Sequence, residues 1–160
     1  MGTDIGPLID AKALAKAERH IEDAVARGAA IAVGGKRLAR DGNFLEPTVL
    51  INVPAAALCL AEETFAPIAP VSVFDTEAEA IQRANDSLYG LAAYAFTRDL
   101  GRTFRLAEDL EAGTVSINEG LPTSSQAPFG GMKHSGWGRE LGSEGLDAFL
   151  ETKHICVGIT

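Results

Sequence analysis

Cysteine is scarce in this chain. Of 160 residues only Cys59 and Cys156 carry a thiol, far apart and each within an apolar stretch. Neither has a second Cys or His at metal-ligand spacing, so no zinc site is expected, and a reducing, cytoplasmic setting is the default. Both read as small buried hydrophobes rather than nucleophiles, because an activated thiolate wants a nearby cation or a helix N-terminus. Long apolar runs are also missing. Nothing approaches the roughly 18 uninterrupted apolar residues of a membrane span. The opening Met1-Gly2-Thr3-Asp4-Ile5-Gly6 has no basic cap before an apolar run, so no signal peptide is expected. Positive charge is in deficit, with 14 Lys and Arg against 22 Asp and Glu and a formal net charge of -8. That balance argues against general nucleic-acid binding and against docking on an anionic membrane. No internal repeat, dinucleotide fingerprint or phosphate-cradling P-loop occurs.

What is present suits one soluble domain able to bury a core: 46 % hydrophobic and 22 % charged residues. Gly6-Pro7-Leu8-Ile9-Asp10 runs almost at once into a helix, as in a chain joined mid-protein, although a short independent domain can also begin so. Asp10 is a good N-cap. Leu14, Ala17, Ile21, Ala24 and Val25 follow at helical spacing, and Gly28 is a stop. Ala30 to Val33 reads as a short buried strand, residues 36–46 as a loop or hairpin, and Thr48 to Val53 as a strand. After a third apolar run at 57–60 comes a strand from Val71 to Phe74. Thr76 and Glu79 have capping-box spacing for a helix with Ala80, Ile81 and Ala84 on its apolar face. Leu91 to Phe96 reads as a buried strand. Leu100, Phe104, Ala107 and Leu110 mark another helix, and Thr114 to Ile117 another strand. Residues 118–142 form a long glycine-rich loop of the kind that tends to be functional. Ser143 then caps a short helix burying Leu146, Phe149 and Leu150, and a strand from His154 to Ile159 ends the chain. Helices alternating with buried strands predict an α/β fold with a mostly parallel sheet flanked by helices.

Three segments are candidates for chemistry. Glu62-Glu63-Thr64-Phe65-Ala66-Pro67 sets two carboxylates before an aromatic residue. A carboxylate accepts two hydrogen bonds from a ribose diol, and an aromatic ring packs on a flat ring; on composition alone, a solvated acidic pair is the commoner outcome. Residues Asn118 to Phe129 crowd hydroxyls and amides past a strand end, where α/β folds bind ligands. They suit a carboxylate or carbonyl oxygen, or form an ordinary polar loop. In Phe129 to Glu140 the spaced glycines allow sharp turns and close approach. Lys133 and Arg139 there bind an anion or pair with acids, and His134 reads as solvated.

Together these segments resemble the aldehyde dehydrogenase family. Glu62-Glu63-Thr64-Phe65-Ala66-Pro67 is similar to its glutamate-glutamate-x-phenylalanine-glycine-proline motif. Pro128-Phe129-Gly130-Gly131-x-Lys133-x-Ser135-Gly136-x-Gly138-Arg139-Glu140 resembles its late glycine-rich signature. Gly6 to Asp10, Glu46-Pro47-Thr48, Ala84-Asn85-Asp86, Tyr89-Gly90-Leu91-Ala92 and Ala112-Gly113-Thr114-Val115-x-Ile117-Asn118 fall in the family's order. Within it, Ile117 to Leu121 and the ending Leu150-Glu151-x-Lys153-x-x-Cys156-x-Gly158 resemble succinate-semialdehyde dehydrogenases.

The resemblance implies the C-terminal part of the catalytic domain of an NAD- or NADP-dependent enzyme that oxidises succinate semialdehyde to succinate. Glu63 would hold the nicotinamide ribose with Phe65 beside it. Thr123, where such enzymes have a serine, and its neighbour Ser124 would bind the substrate's distal carboxylate, and Phe129 would line the aldehyde pocket. Ala66 departs from the motif glycine. The family's nucleophilic cysteine, general-base glutamate and dinucleotide-binding region have no counterpart here, so no catalytic residue is assigned and the isolated chain is expected to be inactive. By role the chain divides into 1–117, partial catalytic domain; 118–151, active-site loop and return helix; and 152–160, an oligomerisation strand. The expected partners are a small aldehyde and either further copies of the chain or the missing N-terminal part. The alternatives are a non-catalytic assembly module and a dehydrogenase for another small aldehyde.

Overall fold

The structure, a computed structural model, describes residues 5–159. The chain divides into two units, Met1–Phe74 and Asp75–Thr160. The boundary falls inside the segment 1–117 that the sequence reading treats as one piece.

The first unit is built on helix α1, Ala11–Ala26. Asp10 caps it as expected: its carboxylate accepts the Ala13 N–H at 2.7 Å, satisfying one of the orphan donors at a helix start, a contribution of about 1 kcal/mol. Gly28 leaves the helix at φ 106°, where a Cβ would be strained. Strands β1, Ala30–Val33, and β2, Thr48–Ile51, follow, then one helical turn α2, Leu58–Ala61, and strand β3, Ile68–Pro70. The sheet order is β1-β2-β3, antiparallel then parallel. Leu14, Ala17, Ile21 and Ala24 of α1 pack with Leu45, Leu50, Val53, Ala57 and Cys59 into the hydrophobic core. Asp23 ties α1 to α2: it accepts the Leu58 N–H at 2.8 Å and the Arg27 Nε–H at 2.8 Å. Those bonds, the Leu58 one first, lower its pKa below the usual carboxylate range.

Two expectations for this unit are corrected. β1 is exposed along its whole length, because it is the edge of a three-stranded sheet rather than an interior strand. The strand expected at Val71–Phe74 forms earlier, at 68–70. Asn52 turns to φ 55° just after β2, where the strand pairing ends; beyond it Val71 bonds Leu50 and Val53 through its backbone, and Ser72 Oγ donates to the Val53 carbonyl.

The second unit contains helix α3, Glu77–Asn85; strands β4, Tyr89–Gly90, and β5, Ala92–Ala95; helix α4, Leu100–Asp109; strands β6, Thr114–Ile117, and β7, Met132–Lys133; and a 3-10 helix, Glu144–Phe149. Half of the capping box at α3 forms as expected: Thr76 Oγ1 accepts from Glu79 N at 3.2 Å, while the Glu79 carboxylate accepts from Asp75 N at 2.8 Å, one residue before the N-cap. β5 pairs parallel with β6, and β4 antiparallel with β7.

Among the described residues the strand pairings are therefore two parallel and two antiparallel, in three small sheets rather than one mostly parallel sheet. The hairpin at 36–46 and the return of the 118–142 loop both reverse the chain, and reversal imposes antiparallel neighbours.

In the second unit the expected burial does not occur. Among its described residues only Gly90, Ser116 and Gly131 are buried. Tyr94 and Phe96 on and after β5, Leu100 and Phe104 of α4, and Leu146, Phe149 and Leu150 all stand exposed. These faces lack the second layer that an apolar stripe needs. The Ser143 side chain makes no capping bond. Residues 151–159 form no strand, because among the described residues none pairs with them, and Cys156, expected to be buried, is exposed. No described helix is long and apolar enough to cross a membrane.

Candidate functional site

The sequence leaves Glu62 and Glu63 equivalent; the structure separates them. Lys16, Arg19 and His20 lie at i, i+3 and i+4 on α1 and so share one side of the helix. Arg19 Nη2 donates to Glu62 Oε2 at 2.6 Å, and His20 Nε2 lies 3.1 Å from the same oxygen. His20 Nδ1 lies 3.0 Å from Thr64 Oγ1, and Lys16 Nζ donates to the Glu63 carbonyl at 2.9 Å. The Glu62 pKa is lowered, first by the His20 hydrogen bond, with the Arg19 charge adding to it.

The Glu63 side chain is exposed and makes no hydrogen bond among the described residues. Phe65 turns to φ 50°, a left-handed conformation costly for a side chain of its size, and 82 % of it is exposed. The segment thus presents a free carboxylate and a bare ring from a stretch that α1 holds at three residues, Glu62, Glu63 and Thr64. An acceptor-only carboxylate with both oxygens free fits a vicinal diol, and an uncovered ring fits a flat heterocycle.

In the second unit the glycine-rich segment is a hairpin. Phe129 and Glu140 exchange backbone hydrogen bonds, each 2.7 Å. The Gly113 backbone passes so close to Gly130 that a Cβ on Gly113 would overlap the Gly130 carbonyl, which explains a glycine at that point of the sequence. Lys133 Nζ donates to the Asn85 and Ser87 carbonyls and pairs with Glu111 at 2.6 Å. Arg139 Nη1 donates to the carbonyls of Gly131 and Gly138. Both candidate anion-binding cations are therefore fasteners. His134 is exposed and meets Tyr89 edge-on. Phe129, half-buried, lines an open cavity of about 280 Å³ with Leu91, Trp137 and Arg139. Thr123 is exposed and Ser124 half-buried, and neither hydroxyl makes a hydrogen bond among the described residues. Of the five candidate residues, Glu63 and Phe65 belong to the first unit, and Thr123, Ser124 and Phe129 to the second.

The sequence reading missed Lys16, Arg19 and His20. The available signal was His20 itself, a polar residue inside the stripe Leu14, Ala17, Ile21, Ala24.

The aldehyde dehydrogenase family model matches residues 1–155. The chain belongs to the aldehyde dehydrogenase family. It is 52 % identical over 158 residues to the NADP(+) succinate-semialdehyde dehydrogenase GabD of Escherichia coli (strain K12), covering 99 % of this chain and 33 % of that protein. It is 54 % identical to a glutarate-semialdehyde dehydrogenase of Pseudomonas aeruginosa, covering 98 % of this chain and 32 % of that one. Among solved structures, an NADP-dependent enzyme of E. coli superposes with a TM-score of 0.92 at 52 % identity, over 97 % of this chain and 32 % of that one. Betaine aldehyde dehydrogenase of Staphylococcus aureus, solved with NAD+, does so at 0.88 and 50 %, over 96 % and 31 %. The chain spans about a third of the length of the curated relatives it matches.

Proposed function

We propose that this chain is the C-terminal portion of an NAD- or NADP-dependent semialdehyde dehydrogenase that converts succinate semialdehyde to succinate. The observation that carries the reading is the contrast between Glu62, fully engaged, and Glu63, free beside the bare Phe65 ring. Glu63 accepts the two hydroxyls of the nicotinamide ribose and Phe65 packs beside the ring. The bound coenzyme supplies the hydride acceptor for aldehyde oxidation. The unengaged hydroxyls of Thr123 and Ser124 donate to the distal carboxylate of the substrate, and Phe129 forms part of the aldehyde wall. No residue of this chain is assigned as the nucleophile. Cys59 is buried, and burial raises its pKa, which keeps it a neutral thiol. The isolated chain is accordingly inactive.

By role, 1–117 is the partial catalytic domain, 118–151 the substrate loop and return helix, and 152–160 an oligomerisation segment that becomes a strand by pairing with a neighbouring subunit. Supporting that last role, Ile155, Val157 and Ile159 alternate and are exposed, the pattern of a strand with one apolar face. The exposed apolar residues of the second unit support a longer protein whose remaining parts cover them.

The 54 % identity to a glutarate-semialdehyde dehydrogenase favours one further reading of the substrate, a semialdehyde longer by one methylene. Both substrates carry the distal carboxylate, and a single methylene changes specificity by only about 1–3 kcal/mol.

The test is to put this chain in place of the matching third of the E. coli enzyme and assay it on succinate semialdehyde, glutarate semialdehyde and butanal. A hydroxyl–carboxylate hydrogen bond contributes about 1.5–3 kcal/mol, so Thr123→Ala with Ser124→Ala should cost about tenfold or more in kcat/KM on both semialdehydes. Butanal should be spared. Equal losses on charged and neutral aldehydes would remove the carboxylate-reading role.

A further inference from the structure

We infer that His20 is a positioning residue for Glu63, acting from inside the core of the first unit. The inference rests on the proposed coenzyme role of Glu63 and adds how that carboxylate is set in place. His20 is fully buried, at 0 % exposure, on a helix face otherwise made of Leu14, Ala17, Ile21 and Ala24. A buried imidazole with an open polar atom is costly, so both ring nitrogens need partners. Here both partners come from one short segment, and they flank Glu63. Nε2 faces the Glu62 carboxylate at 3.1 Å and Nδ1 faces Thr64 Oγ1 at 3.0 Å. The carboxylate only accepts, so Nε2 carries the proton and donates to it. In the neutral ring Nδ1 then accepts from the Thr64 hydroxyl.

Glu62 leaves α2 in an extended conformation, φ -102° and ψ 143°. In extended chain alternate side chains share a side. Turning residues 62 and 64 toward one imidazole therefore turns residue 63 outward, as its exposure agrees. Lys16 adds a hold on the Glu63 carbonyl, and Arg19 donates to the same Glu62 oxygen that His20 meets. Three residues of a single helix face thus hold the side chains on both sides of Glu63 and the Glu63 carbonyl, just ahead of the left-handed turn at Phe65. A buried imidazole orients the segment more tightly than a solvent-exposed ion pair of long side chains, because its rotamer is locked by core packing.

The test is amide hydrogen exchange on the 160-residue chain, for His20→Leu, for Thr64→Val, and for Ile21→Val as a control. The control loosens the same helix without touching the segment. Thr64→Val breaks the Nδ1 contact from the loop side and leaves α1 intact, so it remains informative if His20→Leu fails to fold. The expected result is exchange at Glu62, whose N–H donates to the Leu58 carbonyl at 2.8 Å, faster by roughly tenfold in Thr64→Val and His20→Leu, with Ala17 and Ala24 little changed. In the grafted enzyme, Thr64→Val should lower kcat with the aldehyde KM little moved, and Thr64→Ser, which restores the hydroxyl, should recover it. Exchange that is unchanged, or that rises evenly through the first unit as in Ile21→Val, would overturn the inference. Local loosening in a grafted enzyme whose turnover ignores Glu63→Gln would instead overturn the coenzyme role of Glu63, and with it the purpose of the positioning.

Discussion

The side-chain amide of Asn118 makes both backbone hydrogen bonds of Thr97: the Thr97 N–H donates to Asn118 Oδ1 at 2.8 Å, and Asn118 Nδ2 donates to the Thr97 carbonyl at 2.8 Å. β5 and β6 end just before these residues, so the amide continues their ladder by one more pair. Asn118 itself stands at φ 59°, a conformation that asparagine tolerates better than most residues. Two separate requirements, the amide and the left-handed backbone, therefore meet in one residue.

They can be separated by mutation. Asn118→Gly keeps the backbone conformation and loses the amide, whereas Asn118→Ala loses both. Left-handed backbone costs a residue with a Cβ about 1–2 kcal/mol. Denaturant unfolding should rank Ala below Gly by about 1 kcal/mol. Ala equal to or more stable than Gly would show that the left-handed backbone contributes nothing.

Glu77 is held by two arginines of α4. Arg105 donates to it at 2.5 and 3.0 Å and Arg102 at 2.7 Å. Those bonds, the Arg105 ones first, hold its pKa down from the ordinary 4.5 to about 2. A depressed carboxylate stabilises the fold above its unfolded pKa, and that stability is lost as pH falls from about 4.5 toward 2. Glu77→Gln should flatten the stability–pH curve in that window and leave its shape near neutrality. A curve as steep as wild type between pH 4.5 and 2 would contradict the assignment.

The two thiols should differ in reactivity. Cys59 is buried, and desolvation, with the Asp23 charge adding, raises its pKa; Cys156 is exposed. Thiol titration with a disulfide reagent at neutral pH should give one fast group, absent in Cys156→Ser, and a second only on unfolding. Two fast thiols in the native chain would refute the burial of Cys59.

Local chemistry was legible in the sequence where a residue acts on its near neighbours. Asp10, Thr76 and Gly28 were read from cap and stop rules that act within one helical turn. Burial was legible along α1, where Leu14, Ala17, Ile21 and Ala24 are buried as their spacing predicts, but not along the strands. The apolar runs at Ala30–Val33 and Leu91–Phe96 fit interior strands, yet burial depends on which strands flank them and on what covers the sheet. The glycine-rich segment pointed to a functional loop, and its Lys133 and Arg139 turned out to bind carbonyls of the same unit; only tertiary placement distinguishes a fastener from an anion site. His20 escaped notice because its partners, Glu62 and Thr64, lie more than 40 residues away in sequence.

The role of Glu63 as the carboxylate that meets the coenzyme is tested directly by one comparison: turnover of the grafted enzyme with Glu63→Gln, set beside the unfolding midpoint of the 160-residue chain carrying the same change. An exposed side chain without a partner contributes little to stability, so the midpoint should not move. An amide is a weaker acceptor than a carboxylate for two hydroxyls, and the difference of about 1.4 kcal/mol or more should lower kcat about tenfold. Unchanged turnover with Glu63→Gln would contradict the account and return Glu63 to a solvated surface acid.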